Sequence, residues 1–232
     1  MYRTMRTARR ARCGTDVDCA DCPSVRRCWG EKLPQGFGLH VQRQPRLERG
    51  TTLFAQGERF EAACIVVAGC LTLRETMPDG TERIAGFRLP GELVGLEGWS
   101  RGVHSFTATA ACSTTVCRLK WPQRVSGSAA LLERLLRKTA GQLDSAAKPW
   151  AGLPAIERVA AFIEDFARRM RVSDASLLLP MTRAEIGSHL GLAEETVVRA
   201  LAQLQRSGRL EVKGRSVTLQ SPPHRSAAFA AS

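Results

Sequence analysis

The stretch from Met181 to Leu219 leaves this chain fewer folding options than any other part of it. Thr182-Arg-Ala-Glu185 is a capping-box pattern. In such a box the Thr and Glu side chains each take the other residue's backbone N–H and so start a helix. That helix runs to Leu190, where Gly191 supplies a tight turn. A second helix is predicted from near Glu194 to Ser207-Gly208. Ile186, Leu190, Leu192, Val197, Leu201 and Leu204 are spaced so that they meet in one small core. Two short helices joined by a glycine-containing turn form a helix-turn-helix. Beyond Gly208, Arg209–Lys213 and Ser216–Leu219 read as two short strands around Gly214, the wing of a winged helix.

That core decides which residues face outward. With Val197, Leu201 and Leu204 inside, Glu195, Val198, Arg199 and Ala202 share the opposite face. Glu195 and Arg199 lie near the N-terminus of the second helix, the end that enters the major groove in such motifs. Glutamate accepts from cytosine N4, and arginine forks onto guanine O6 and N7. The competing reading is a plain i,i+4 surface pair, worth about a few tenths of a kcal/mol. The cap, the turn and the charge of the chain favour base readout. Lys213 and Arg215, at the wing tip, suit phosphates, which position a protein without specifying sequence. Thr182 joins them as an expected DNA-binding residue.

The charge supports a polyanionic partner. The 232 residues include 34 Lys and Arg against 22 Asp and Glu, a net charge of +12. Nucleic acid is the first candidate for such an excess and an anionic membrane the second. No run reaches the ~18 apolar residues of a membrane span, so a soluble chain without a membrane partner is expected.

Upstream the pattern is different. From Gly50 to Leu119, glycines at 50, 57, 69, 80, 91 and 95 punctuate short apolar runs. Cys64–Val67, Leu71–Arg74, Arg83–Phe87 and Thr115–Leu119 have strand length and many β-branched residues. Met77-Pro78-Asp79-Gly80 reads as a hairpin turn. Many short strands with turns between them point to a β-sandwich or jelly roll. After Ser128, Leu132, Leu136, Leu143 and Ala146 keep near-heptad spacing, with Thr139 between them. One long dimerisation helix fits that narrow seam. The competing reading is a core helix packed on its own sheet. Pro149 ends or kinks the helix. A further helix is predicted over about Ile156–Arg171, with Val159, Phe162, Ile163 and Phe166 on its apolar face.

The expected fold is therefore α+β. Residues 1–30 form an arm and cysteine loop, 31–125 a β-roll sensor domain and 126–150 the dimerisation helix. Residues 151–220 form the winged helix-turn-helix, and 221–232 a disordered tail.

Eight cysteines are present, and Cys13, Cys19, Cys22 and Cys28 fall within the first 28 residues. The N-terminus shows no apolar signal region, which argues against secretion and a disulfide framework. Clustered thiols in a reducing compartment indicate metal or redox chemistry. Cys19-x2-Cys22-x5-Cys28 puts three soft ligands in one loop-sized segment, suited to zinc, copper(I) or iron–sulfur. A structural zinc site normally has a second CxxC, which is missing. A cubane cluster needs a fourth thiolate, and spacing leaves Cys13, Cys64, Cys70, Cys112 and Cys117 open. Cys64, Cys70 and Cys112 sit in apolar, strand-like contexts and read as small buried hydrophobes. If Cys112 and Cys117 share a strand, they face opposite sides of it.

An enzyme lacks support in the residues. The four histidines (His40, His104, His189, His224) are scattered, and no G-x-S-x-G, P-loop or dinucleotide motif is present. Two further readings remain beside an iron–sulfur regulator. One keeps DNA binding but replaces the cluster with thiol oxidation or zinc. The other is an iron–sulfur electron carrier.

The order of parts, together with particular motifs, resembles the CRP/FNR superfamily and within it the oxygen-sensing FNR branch. The matches are Cys19-Ala-Asp-Cys22, Cys28, Gly91-Glu-Leu-Val-Gly95, Met181-Thr-Arg-Ala-Glu-Ile-Gly187, Leu190-Gly-Leu192, Glu195-Thr-Val-Val-Arg199 and Val212-Lys-Gly214. The resemblance covers about residues 19 to 220. It implies a cyclic-nucleotide-binding-like β-roll and a cytoplasmic, homodimeric transcription regulator or activator, with RNA polymerase as a partner. It also implies a [4Fe–4S] cluster on Cys19, Cys22, Cys28 and, in Thr-Thr-Val-Cys-Arg-Leu, Cys117. With the cluster intact the dimer binds a palindromic site, and oxygen reverses this. Related cyclic-AMP receptors use an Arg-Ser pair on the nucleotide phosphate. Here the stretch reads Val103-His104-Ser105-Phe106, so no cyclic nucleotide is expected. Val198 replaces a serine of the FNR pattern, Ala193 stands where a helix cap is expected, and Pro23 and Arg27 alter the cluster's surroundings.

Overall fold

The computed structural model describes residues 15, 16, 19, 40–120, 152–170 and 176–220. Cys13, Cys22, Cys28, the expected dimerisation helix with Leu132, Leu136 and Leu143, and residues 221–232 lie outside the described residues. The chain divides into two compact units, Met1–Pro149 and Trp150–Ser232.

The first unit contains nine described strands: β1 (Thr15–Asp16), β2 (His40–Arg43), β3 (Thr52–Phe54), β4 (Ala63–Ala68), β5 (Leu71–Thr76), β6 (Glu82–Arg88), β7 (Leu93–Val94), β8 (Thr107–Ala110) and β9 (Thr115–Lys120). A short helix, α1 (Gly98–Arg101), lies between β7 and β8. The strands form two antiparallel sheets, ordered β1-β2-β9-β4-β7 and β3-β8-β5-β6. All four strand runs expected from sequence are present, each one or two residues longer. The hairpin turn is present too. Met77 N–H donates to the Thr81 carbonyl at 2.8 Å, and Gly80 takes φ 81°, which only glycine adopts without strain.

The sandwich core draws on both sheets. Phe54, Leu71, Leu73, Ala108 and Ala110 from one meet Cys64, Val66, Val94 and Val116 from the other, with Leu47. The run Ala63-Cys-Ile-Val is buried at every position, although alternate residues of a strand point to opposite faces. Ala63, Ile65, Leu93, Cys117 and Leu119 occupy the face of the five-stranded sheet turned away from the sandwich core, and all are buried. A sheet buried on both faces reads as a continuous apolar run, as β4 does.

The second unit contains α2 (Ala155–Met170), α3 (Arg183–Leu190), α4 (Glu194–Arg206) and a three-stranded sheet ordered β10-β12-β11. β10 is Leu177–Leu178, β11 Leu210–Lys213 and β12 Ser216–Leu219. Val159, Phe162, Ile163 and Phe166 of α2 are at most 2% exposed. Burial of each contributes about 1.5–3 kcal/mol. They meet Ile186, Leu190, Val197, Leu201 and Leu204 as a buried set, while Leu192 is only half-buried and stands at its rim. Arg209 ties the wing to α2, donating to both carboxylate oxygens of Glu157 at 2.8 and 3.2 Å.

Candidate functional site

The reading head is built from its first turn. Glu185 N–H donates to Thr182 Oγ1 at 3.1 Å, and Thr182 N–H donates to Glu185 Oε2 at 2.8 Å. α3 ends at Gly191, in the left-handed conformation with φ 68°. Leu192 N–H then returns to the Gly187 carbonyl at 2.9 Å. Gly187 lies so near that turn that a Cβ on it would sit 2.6 Å from the Leu192 carbonyl oxygen. This glycine sets the spacing between the two helices, a role its sequence position did not reveal.

Ala193 stands at the N-cap of α4, with an extended conformation (φ −66°, ψ 152°) and no side-chain cap hydrogen bond. Glu194 and Glu195 in its first turn complement the positive end of the helix dipole. Val197, Ala200, Leu201 and Leu204 are buried, while Glu195, Val198, Arg199 and Ala202 are exposed. The structure thus gathers Glu195, Val198 and Arg199 on one exposed face, with Val198 half exposed despite being apolar.

The wing residues divide into two kinds. Lys213 is 80% exposed and pairs with Glu211 at 2.6 Å, which holds its ammonium pKa above the ordinary lysine value. Arg215 instead donates from Nε to the Leu179 carbonyl at 3.0 Å and from Nη2 to the Pro180 carbonyl. Its guanidinium anchors the wing loop. Arg183, which sequence reasoning did not select, donates to the Gly214 carbonyl at 2.7 Å. Partial burial, and secondarily the charge of Arg215, lower its pKa. Two arginines from distant parts of the sequence therefore meet between the start of α3 and the wing. Their positions after a helix cap and after a turn glycine were the only sequence signal.

In the first unit, one row of directly paired residues crosses the whole five-stranded sheet. Thr15 opposes Arg43, Arg43 opposes Cys117, Cys117 opposes Ile65, and Ile65 opposes Leu93. Opposed residues share a face. Cys117 is 5% exposed on the face turned away from the sandwich core, and Cys19, half-buried, follows β1 by three residues. None of the five described cysteines forms a disulfide. Among the described residues no group of three metal-ligating side chains is assembled.

The other cysteines separate clearly. Cys64 faces the sandwich core, where burial pushes its pKa up to about 12 and keeps it a neutral thiol. Cys70 is buried just before β5. Cys112 departs from its expectation: it is half-buried and sits in the bend between β8 and β9, outside any strand. The opposite-face argument between Cys112 and Cys117 therefore does not apply. The bend is held by Thr114, whose Oγ1 lies 2.8 Å from the Cys112 carbonyl and 3.0 Å from that of Cys70. His104 is 4% exposed and stacked on Phe54 with ring centroids 3.7 Å apart, with Phe60 edge-on. Ser105 accepts from Arg101 at 3.2 Å.

A β-sandwich followed by a winged helix-turn-helix, with a readable face on its second helix, defines a DNA-binding regulator. The family profile described as "Crp-like helix-turn-helix domain" matches residues 157–224, and that of the "Cyclic nucleotide-binding domain" matches residues 44–123. The transcriptional activator protein FnrA of Stutzerimonas stutzeri is 32% identical over 228 residues, covering 90% of this chain and 91% of that protein. The fumarate and nitrate reduction regulatory protein of Escherichia coli K12 is 30% identical over 225 residues, covering 90% and 88%. Among solved structures, FixK2 from Bradyrhizobium japonicum superposes with a TM-score of 0.67 at 31% identity, covering 78% of this chain and 93% of that one. The chain belongs to the CRP/FNR family and is an FNR-type transcription regulator with a helix-turn-helix DNA-binding domain. Its family consists of transcription regulators, not enzymes. No helix among the described residues is long and apolar enough to cross a membrane.

Proposed function

We propose that this chain is a cytoplasmic, homodimeric regulator that senses oxygen through a [4Fe–4S] cluster and binds palindromic promoter sites, where it meets RNA polymerase. In this reading Cys19, Cys22, Cys28 and Cys117 hold the cluster, and Leu132, Leu136 and Leu143 line the dimer seam. When bound, the cluster supplies the oxygen-reactive centre. Four thiolates are the donor set that a cubane takes. The observation that carries the reading is the pairing of β1 with β2 beside β9. Thr15 stands two strands from Cys117, about 10 Å away at the usual strand spacing. Cys19 follows Asp16 by three residues, and a chain of that length reaches at most about the same distance, which allows a loop ligand and the strand ligand to share one site.

The chain's own residues carry the remaining roles. Arg199 and Glu195 read a G·C pair in each half-site, and Val198 offers apolar contact such as to a thymine methyl. Thr182, Lys213 and Arg183 position the head on phosphates, and Arg215 holds the wing that presents Lys213. No cyclic nucleotide is part of the proposal. His104, in place of the arginine, is enclosed by Phe54 and Phe60. Protein purified without oxygen should be brown and contain about four iron and four sulfide per chain. Colourless protein with stoichiometric zinc, or with thiols alone responding to oxidants, would overturn the cluster.

A further inference from the structure

The cations of the second unit sort by what holds them. Arg209 faces Glu157 and Glu164, Lys213 faces Glu211, and Arg168 and Arg169 share Asp165. Arg158, Arg183 and Arg215 donate to backbone carbonyls. The other Lys or Arg side chains among the described residues of this unit are Arg199 and Arg206, and neither has an ion pair or a side-chain hydrogen bond. The i,i+4 pair that Glu195 could make with Arg199 is not formed. Both arginines are exposed, and both stand on α4. They are seven residues apart in that helix. Seven residues bring the helix to within about 20° of the same direction, about 10.5 Å further along its axis. Ala202, exposed between them, carries only a methyl group. Arg206 therefore extends the face of Glu195, Val198 and Arg199 into the last turn of α4. A cation in that turn also meets the negative end of the helix dipole, a role that needs no partner outside the chain.

We propose that Arg206 is a further DNA-contacting residue, which takes a backbone phosphate at the rim of the major groove while Arg199 takes a base inside it. This rests on the reading face proposed above. α4 has 13 residues. Its length is therefore about 20 Å. The major groove is about 8.5 Å deep and about 12 Å wide, so a helix with its first turn against the bases carries its last turn out to the phosphates. A guanidinium there can meet phosphate oxygens with two parallel N–H bonds, and Arg206 has no internal partner to give up first. Such contacts fix register and orientation without specifying sequence. Arg206 is thus a positioning residue. It holds the far end of α4 so that Glu195 and Arg199 meet base edges at the near end.

The test uses the full-length protein handled without oxygen. An operator recovered by site selection and a random duplex of the same length are titrated by fluorescence anisotropy over a series of salt concentrations. Each phosphate neutralised contributes about 0.9 to the slope of log affinity against log salt. Arg206→Gln should flatten that slope by about 0.9 per bound subunit on both duplexes and leave the selected base motif unchanged. Arg206→Lys keeps a charge that phosphate accepts and should return most of the slope. Arg168→Gln removes the same charge from α2, which packs on the buried side of α4, and should change the slope far less. A parent that binds DNA, together with an Arg206→Gln variant of unchanged slope and affinity, overturns the role of Arg206 and leaves the reading face standing. Equal flattening by Arg168→Gln overturns it as well, because net charge alone then explains the effect. A base motif changed by Arg206→Gln overturns the phosphate contact in favour of base reading. A parent that binds neither duplex at low salt overturns both readings. If Arg206→Gln does not fold, Arg206→Met takes its place under the same criteria.

Discussion

Replacing Gly187 with alanine should damage DNA recognition more than stability. A Cβ built there lies 2.6 Å from the Leu192 carbonyl oxygen and 3.5 Å from the Glu194 nitrogen that begins α4. Carbon–oxygen contacts normally stand at about 3.3 Å or more, so the oxygen must retreat by about 0.7 Å. That oxygen is part of the backbone, and Leu192 N–H is tied to the Gly187 carbonyl at 2.9 Å. The turn therefore cannot yield without moving the start of α4. Overpacking of this kind costs about 1–3 kcal/mol. Alanine's better helix propensity offsets up to about 1 kcal/mol of that. A net loss of about 1–2 kcal/mol lowers the midpoint by about 4–8 °C per kcal/mol in a unit this size. Bases are read through hydrogen bonds whose geometry tolerates little displacement, so operator affinity should fall at least tenfold. Non-specific binding at low salt, carried by phosphates, should survive. Gly191→Ala is the control. It meets open space, and its cost is the left-handed φ of 68°, about 1–2 kcal/mol. It should lower the melting midpoint with little change in operator affinity. Thermal unfolding and fluorescence anisotropy on operator and random DNA measure both effects. Gly187→Ala protein with parental midpoint and parental operator affinity would refute the spacing argument.

Arg199→Ala should cost about 1–3 kcal/mol of specific binding and relax choice at one G·C pair, and Val198→Ser should sharpen choice at the adjacent position. Site selection with both variants tests this, and equal loss on all sequences for Arg199→Ala counts against readout. Cys117→Ser should abolish the stable cluster and anaerobic operator binding together, while Cys112→Ser should leave both largely intact. If the effects are reversed under anaerobic reconstitution, the ligand assignment is wrong. Ala193→Ser should stabilise the second unit by about 1 kcal/mol, because the extended backbone there already suits a cap. An unchanged unfolding midpoint would show that the cap does not form. The hydrogen bond from Arg209 holds the Glu157 pKa below the ordinary carboxylate value. Its stabilisation is present above about pH 4.3, the usual unfolded value, and is lost as pH falls through the lowered pKa. Urea unfolding between neutral and acid pH should show Glu157→Gln losing that part of the acid dependence, and parental acid dependence in the variant would contradict it.

The helix-turn-helix was legible in the sequence because its determinants are near neighbours. Thr182 and Glu185 are three residues apart, Gly191 closes the turn, and the spacing of Val197, Leu201 and Leu204 orients α4. Four strands between Gly50 and Leu119, β4, β5, β6 and β9, were legible for the same reason, through glycine punctuation and β-branched runs, whereas the shorter β3, β7 and β8 were not. Tertiary structure decided what depends on register and on residues far apart in the chain. It paired Thr15 with Arg43 and Arg43 with Cys117, which stand 28 and 74 positions apart in the sequence. It moved Cys112 from an expected strand into a bend held by Thr114, and brought Arg183 beside the wing while turning Arg215 onto backbone carbonyls. A capping box or a helical stripe is written in side chains that meet by chain geometry alone. A strand's partner and face are set by which distant run it joins, because a one-residue slip in register turns every side chain to the other side.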